Sequence, residues 1–148
     1  MLAYNSLVRS KLEYAAVIWS PHQKYLIEKL EIVQNNALRF VFNIRDRLMS
    51  MSALRTQYGI PLLSARRRVL RLVLIFKLYH STSSYINRAH FSSGRVDHPW
   101  KIHQVLSHTD AHKFSTLALG IAEWNDLPIE IVSVIDVNCF QALCEEMF

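Results

Sequence analysis

The sequence predicts an all-α, or mainly α, fold: a helical hairpin, then a long basic helix, a short irregular or extended segment and a C-terminal helix. Three observations carry this expectation. Only three glycines and four prolines punctuate 148 residues, whereas Leu, Ala, Arg and Lys, all good helix formers, are abundant. Apolar residues recur three and four apart over long runs, the period of a helix with one covered face. Turn-rich, alternating stretches of the kind that build a many-stranded sheet are missing. At about half hydrophobic, the chain has enough apolar side chains for the core of one domain of usual size.

The elements follow in order. From Leu2 to Trp19, the residues Tyr4, Leu7, Leu12, Ala15, Ile18 and Trp19 trace one face, with Arg9, Lys11 and Glu13 turned to solvent. Ser20-Pro21 stops that helix, because the residue before proline is pushed out of the helical region. A second helix is expected from about Lys24 to Asn43, with Ile27, Leu30, Val33 or Gln34, Ala37, Phe40 and Val41 inward. Two helices joined by so short a corner form an antiparallel hairpin. A short third helix over Ser50 to Tyr58 ends at Gly59, whose lack of a side chain suits a left-handed cap. Pro61 then opens a fourth helix reaching about Tyr79, with Leu63, Leu70, Val73, Leu74, the Lys77 stem and Leu78 on its inner stripe. Arg66, Arg67, Arg68 and Arg71 crowd its first turns, where the positive end of the helix dipole disfavours each cation by roughly a few tenths of a kcal/mol. An anion beside them is therefore expected. Residues 81–100, "STSSYINRAHFSSGRVDHPW", read as a linker. They separate a helical region, 1–80, from a C-terminal segment, 101–148, which packs back on the helices. Within that segment Lys101 to Ser107 is extended, Phe114 to Asn125 is a short helix, and Asp136 caps a last helix ending at Phe148.

Charge is unevenly spread. Residues 32–96 hold eleven basic side chains against Asp46 alone, a net of +10, whereas residues 97–148 carry a net of −6. Arg dominates the basic stretch, and guanidinium forks pair bidentately with phosphate oxygens. Arg66, Arg67, Arg68 and Arg71, with Arg39, Arg45 and Arg47, are the candidate nucleic-acid-binding residues, and Tyr58 and Tyr79 offer faces for stacking. The bland alternative is that some of these arginines pair with the acidic tail.

Other chemistries find little support. Cys139 and Cys144 have no second pair to complete a zinc site and read as reduced, buried thiols. His98, His103, His108 and His112 fit no tight ligand set. Nucleophile elbows, phosphate-binding glycine loops and paired helical carboxylates are not found, so neither a metal nor a cofactor is expected, nor catalysis by this chain alone. The most apolar run, Val69 to Tyr79, is broken by Arg71 and Lys77 and is well short of the roughly 20 residues of a span. A soluble protein of the cytoplasm or nucleus is expected, with no membrane partner.

The stretch "SLVRSKLEYAAVIWSPHQKYLIEKLEIVQNNALRFVF" resembles the segment just downstream of the polymerase palm in reverse transcriptases of non-LTR (LINE-type) retrotransposons. Leu12, Glu13, Tyr14, Ala15, Trp19, Pro21, Ile27, Leu30, Glu31, Val33, Gln34, Ala37, Arg39 and Phe40 carry the likeness. "YGIPLLSARRRVLRLVLIFKLYH" is similar to a second block of that family. A third is recognisable in Thr109-Asp110, Lys113-Phe114-Ser115 and Glu123-Trp124-Asn125-Asp126-Leu127-Pro128. Leu119-Gly120 stands where relatives have Arg-Thr. The resemblance implies a thumb-like bundle gripping the backbone of a template-primer duplex, RNA or DNA, without reading sequence. It also implies that the catalytic aspartates lie in a palm that this chain, which has no Asp-Asp pair, does not include. Leu12, Glu13, Tyr14, Trp19 and Pro21, and Trp124, Asn125, Leu127 and Pro128, are then packing devices. Partners would be the duplex, and a palm domain or a second copy through exposed apolar surface. The alternatives are a helical protein-interaction module and a transposon relic with no selected function.

Overall fold

The computed structural model describes residues 2–46, 48–81, 86, 99–104 and 106–148, so Arg47 and most of the linker expected at 81–100 lie outside the described residues. Among the described residues the regular structure is helical. The chain divides into two units, Met1–Arg67 and Arg68–Phe148. The division falls inside the long basic helix and not in the segment read as a linker.

In the first unit, the expected continuous opening helix is instead three pieces: a π-helical run over Tyr4–Arg9, α1 (Ser10–Glu13) and α2 (Ala16–Trp19). Tyr14 is extended and Ala15 left-handed, with φ of 49°. This break rotates the face that the sequence pattern had placed inward. Tyr4 and Ala16 are buried, while Leu7, Tyr14 and Ile18 are exposed. The Trp19 indole caps the break by donating to the Tyr14 carbonyl oxygen at 2.6 Å.

Next comes α3 (Lys24–Val41), close to its expected bounds. Its buried face centres on Gln34, the expected alternative to Val33, and Leu38, with Ala37 and Val41 against the core as expected, while Val33 and Phe40 are exposed, Phe40 by 87%. The pattern misled because α3 carries apolar residues on two sides. Ser50 caps α4 (Met51–Gln57), its hydroxyl accepting from the Ala53 N–H at 3.4 Å, and Gly59 closes it at φ 59°, as expected. Tyr4, Leu38, Leu54 and Ile60 form this unit's core, with Val8, Val41, Phe42 and Met51 against it.

The long helix α5 (Leu63–His80) gives its later turns to the second unit. There Val69, Leu72, Val73, Ile75, Phe76 and Tyr79 are buried. The buried face of these turns is therefore rotated from the expected one: Val73 is shared, but Leu70, Leu74 and Leu78, expected inward, are only half-buried, and the Lys77 side chain faces solvent. The remaining helices are α6 (Asp110–Lys113), α7 (Thr116–Asn125), α8 (Ile129–Val132) and α9 (Val137–Met147). The Asp136 carboxylate caps α9 as expected, accepting from the Cys139 N–H at 2.8 Å. That bond holds the Asp136 carboxyl below the usual aspartate range. Trp124 is wholly buried, 5.3 Å from the Tyr79 ring and 5.7 Å from Phe140, and its indole N–H donates to the Trp100 carbonyl at 2.8 Å. The Asn125 amide brackets Ile102, accepting from its N–H and donating to its C=O, both at 2.9 Å. A side chain there supplies the two bonds that a neighbouring strand would give. Leu127 is buried and Pro128 precedes the first turn of α8, so three of the four residues of this motif are visibly packing or bonding devices. Cys144 is buried and its thiol is pushed up to about 11 by burial, whereas Cys139, expected inside, is exposed.

Candidate nucleic-acid interface

The anion expected beside the arginines of α5 is supplied by the chain itself. In the first unit, Glu13 accepts from Arg66 with both oxygens: from Nε in a short bond and from Nη2 at 3.1 Å. Arg9, four residues before Glu13, donates its Nε to the same two oxygens at 3.1 and 3.2 Å. Glu31 accepts from the Ser64 N–H at 2.9 Å, which puts a carboxylate at the positive end of α5. In the second unit, Glu123 accepts from Arg71 Nε at 2.8 Å and Nη2 at 2.7 Å. Arg68 lies 3.6 Å from the same carboxylate, with its guanidinium 3.9 Å above the Phe148 ring.

These pairs decide what the predicted residues can offer a ligand. Arg71 is nearly enclosed, its side chain 9% exposed, and Arg67 is buried. Arg66 and Arg68 are partly exposed, and each shares its carboxylate with a second arginine, Glu13 with Arg9 and Glu123 with Arg71. Arg39 donates to two backbone carbonyls, Asp46 at 2.6 Å and Met49 at 3.1 Å, and so ties down the segment after α3. Arg45 is exposed, and Arg47 lies outside the described residues. Glu13, read from the sequence as a packing residue, is the hub of an ion-pair cluster. Its four-residue spacing from Arg9 was the available signal, but nothing local announced Arg66, 53 positions on. Lys11, Lys24 and Lys29, absent from the predicted set, are exposed, and Lys29 rests 5.6 Å from the Tyr25 ring centre.

Divided by unit, the charge contrast is smaller than along the linear pattern but keeps its direction. Residues 1–67 contain ten basic and four acidic side chains, a net of +6; residues 68–148 contain seven and eight, a net of −1. Among the described residues no cluster of three His, Cys, Asp or Glu side chains could hold a metal, and no helix is long and apolar enough to cross a membrane. The chain matches no family model, no curated protein and no solved structure.

Proposed function

We propose that this chain is the helical, non-catalytic region that follows the palm in a LINE-type reverse transcriptase, and that it holds a template-primer duplex by its backbone phosphates. The observation that carries this reading is the concentration of positive charge, net +6, in residues 1–67. Lys29 lies in the second turn of α3 and Arg45 beyond its end; the helix from Lys29 to Val41 runs about 18 Å, roughly half a turn of duplex. Contacts of this kind position a duplex without reading its bases. Arg45 with Lys11 and Lys29 makes the direct contacts, while Lys24, turned about 140° from Lys29 around α3, adds to the field with Arg66, Arg67, Arg68 and Arg71. Such a protein works in the cytoplasm or nucleus and needs no cofactor of its own.

Fluorescence anisotropy of a labelled primer-template duplex across a salt series tests this. Each neutralised phosphate contributes a slope of about −0.9 in log affinity against log salt. Replacing Lys11, Lys29 and Arg45 together by Ala is expected to reduce that slope by roughly 2 to 3. Absence of binding at low salt, or a slope that the triple variant leaves unchanged, would sink the reading.

A second reading is favoured by one specific feature, the outer face of α3. Tyr25, Ile32, Val33 and Phe40 are all exposed, and at 100° per residue they fall within one stripe about 100° wide, opposite Gln34 and Leu38. Tyr25 lies seven residues before Ile32, and Phe40 seven after Val33. The stripe therefore reads alike from either end, as a two-fold interface requires. A second copy of this chain, antiparallel along α3, would set Ile32 against Val33 and Tyr25 against Phe40.

A further inference from the structure

A cavity of about 90 Å³ in the first unit is lined by Tyr4, Asn5, Arg9, Gln34, Tyr58 and Arg66, with the backbone of residues 59–61. This is room for several waters, and so for an oxyanion of five heavy atoms. Its deep wall is polar: Tyr4 and Gln34 are both almost wholly buried. Gln34 donates its Nε2 to the Tyr4 hydroxyl oxygen at 2.9 Å and to the Pro61 carbonyl at 3.2 Å. A proline carbonyl only accepts, so the amide orientation is fixed. Two consequences follow. The Tyr4 hydroxyl hydrogen is left uncommitted, and burial pushes the phenol above its usual range, so it stays a donor. The Gln34 Oε1 is a buried acceptor with no partner, an arrangement that costs stability unless something satisfies it.

At the partly exposed side, Arg9 and Arg66 share one carboxylate, Glu13. One positive charge of the three groups is uncompensated, and both terminal nitrogens of Arg9 and Nη1 of Arg66 donate to no described group. Glu31, the other acid nearby in sequence to Gln34, is engaged with the amino end of α5. The backbone is also shaped for this convergence. Residues five apart on an α-helix point about 140° away from one another, whereas the i→i+5 closure of the π-helical run Tyr4–Arg9 brings Tyr4 and Arg9 to one side. Runs of this type concentrate at functional sites.

We infer that this cavity binds a tetrahedral oxyanion of the phosphate class, held by Arg9, Arg66 and Tyr4 as donors. The site goes beyond the duplex reading, because Lys11, Lys29 and Arg45 do not line it and its probe is inorganic phosphate.

Equilibrium dialysis of the full chain against inorganic phosphate and against sulfate, with amide chemical shifts of Asn5 and Gly59 as a second readout, tests the assignment. Phosphate is expected to bind, and sulfate, a tetrahedral oxyanion of similar size, to compete with it. Arg9→Gln leaves the Glu13–Arg66 pair in place and is expected to weaken phosphate about tenfold, the scale of one charge-assisted hydrogen bond. Tyr4→Phe, which removes only the donor, is expected to weaken it less. No binding at tens of millimolar phosphate, or binding untouched by both variants, overturns the proposal.

Discussion

At the scale of single residues, acidic side chains decide what the arginines do. Glu123 sits between Arg71 and Arg68 with its side chain 14% exposed. Desolvated pairs of this sort add little net stability, yet breaking one side leaves a buried charge without its partner. Glu123→Gln keeps the shape and removes the charge, so it is expected to destabilise the fold by roughly 3 kcal/mol, read from urea unfolding. Arg71→Met with Glu123→Leu removes both charges together and is expected to regain most of that loss. If Glu123→Gln melts like the parent, the pair is not structurally needed and Arg71 returns to the list of free cations. The sequence showed that α5 needs anions, because cations crowd its positive end, but it did not show which ones. Glu123 lies 52 positions from Arg71, and pairing at that separation is set by tertiary packing, which leaves no local periodicity to read.

At the scale of elements, helices with one apolar face were legible and helices with two were not. α4, with its Ser50 cap and left-handed Gly59, and α9, with its Asp136 cap, follow from local hydrogen bonding and end where the sequence says. α3 has its expected bounds and most of its expected inner stripe, Gln34, Ala37 and Val41 among it, but Phe40 and Val33 lie outside, since they match the inward period nearly as well as Leu38 does. The opening helix was misjudged because a left-handed Ala15 has no sequence signature: alanine favours helix, and only the surrounding packing holds it at positive φ. Gly120 shows the opposite case, a residue whose role appears only in the fold. A Cβ built there would lie 2.8 Å from Ile75 Cγ1 and 3.3 Å from Arg71 Cγ, so the missing side chain lets α7 approach α5 closely. Gly120→Val is therefore expected to destabilise by about 1 to 3 kcal/mol through overpacking. An unchanged melting temperature would mean that Ile75 can step aside freely and that the close approach is not a constraint.

At the scale of the whole molecule, the apolar surface left outside is as informative as the charge. The first unit exposes Leu7, Tyr14, Ile18, Tyr25, Ile32, Val33 and Phe40, and exposed apolar surface of this extent commonly marks an interface. On α3 the patch is self-complementary about Ile32 and Val33, so the expected partner is a second copy arranged by a closed two-fold rather than an open-ended stack. Closure makes the test sharp. Sedimentation velocity is expected to show a monomer–dimer equilibrium that saturates at two copies as concentration rises. Ile32→Glu would place two like charges at the two-fold centre, opposite Val33 of each partner, and is expected to hold the chain as a monomer while leaving the Tyr4–Leu38–Leu54 core of its unit untouched. A chain that stays monomeric at high concentration without the substitution would rule out the two-fold pairing. Growth past the dimer would show that the exposed faces join head to tail, which a single symmetric stripe cannot explain. Because association along α3 would cover Lys29 but leave Lys11 exposed, a dimer that still binds duplex would separate the two surfaces, and loss of binding on dimerisation would place both functions on the same face.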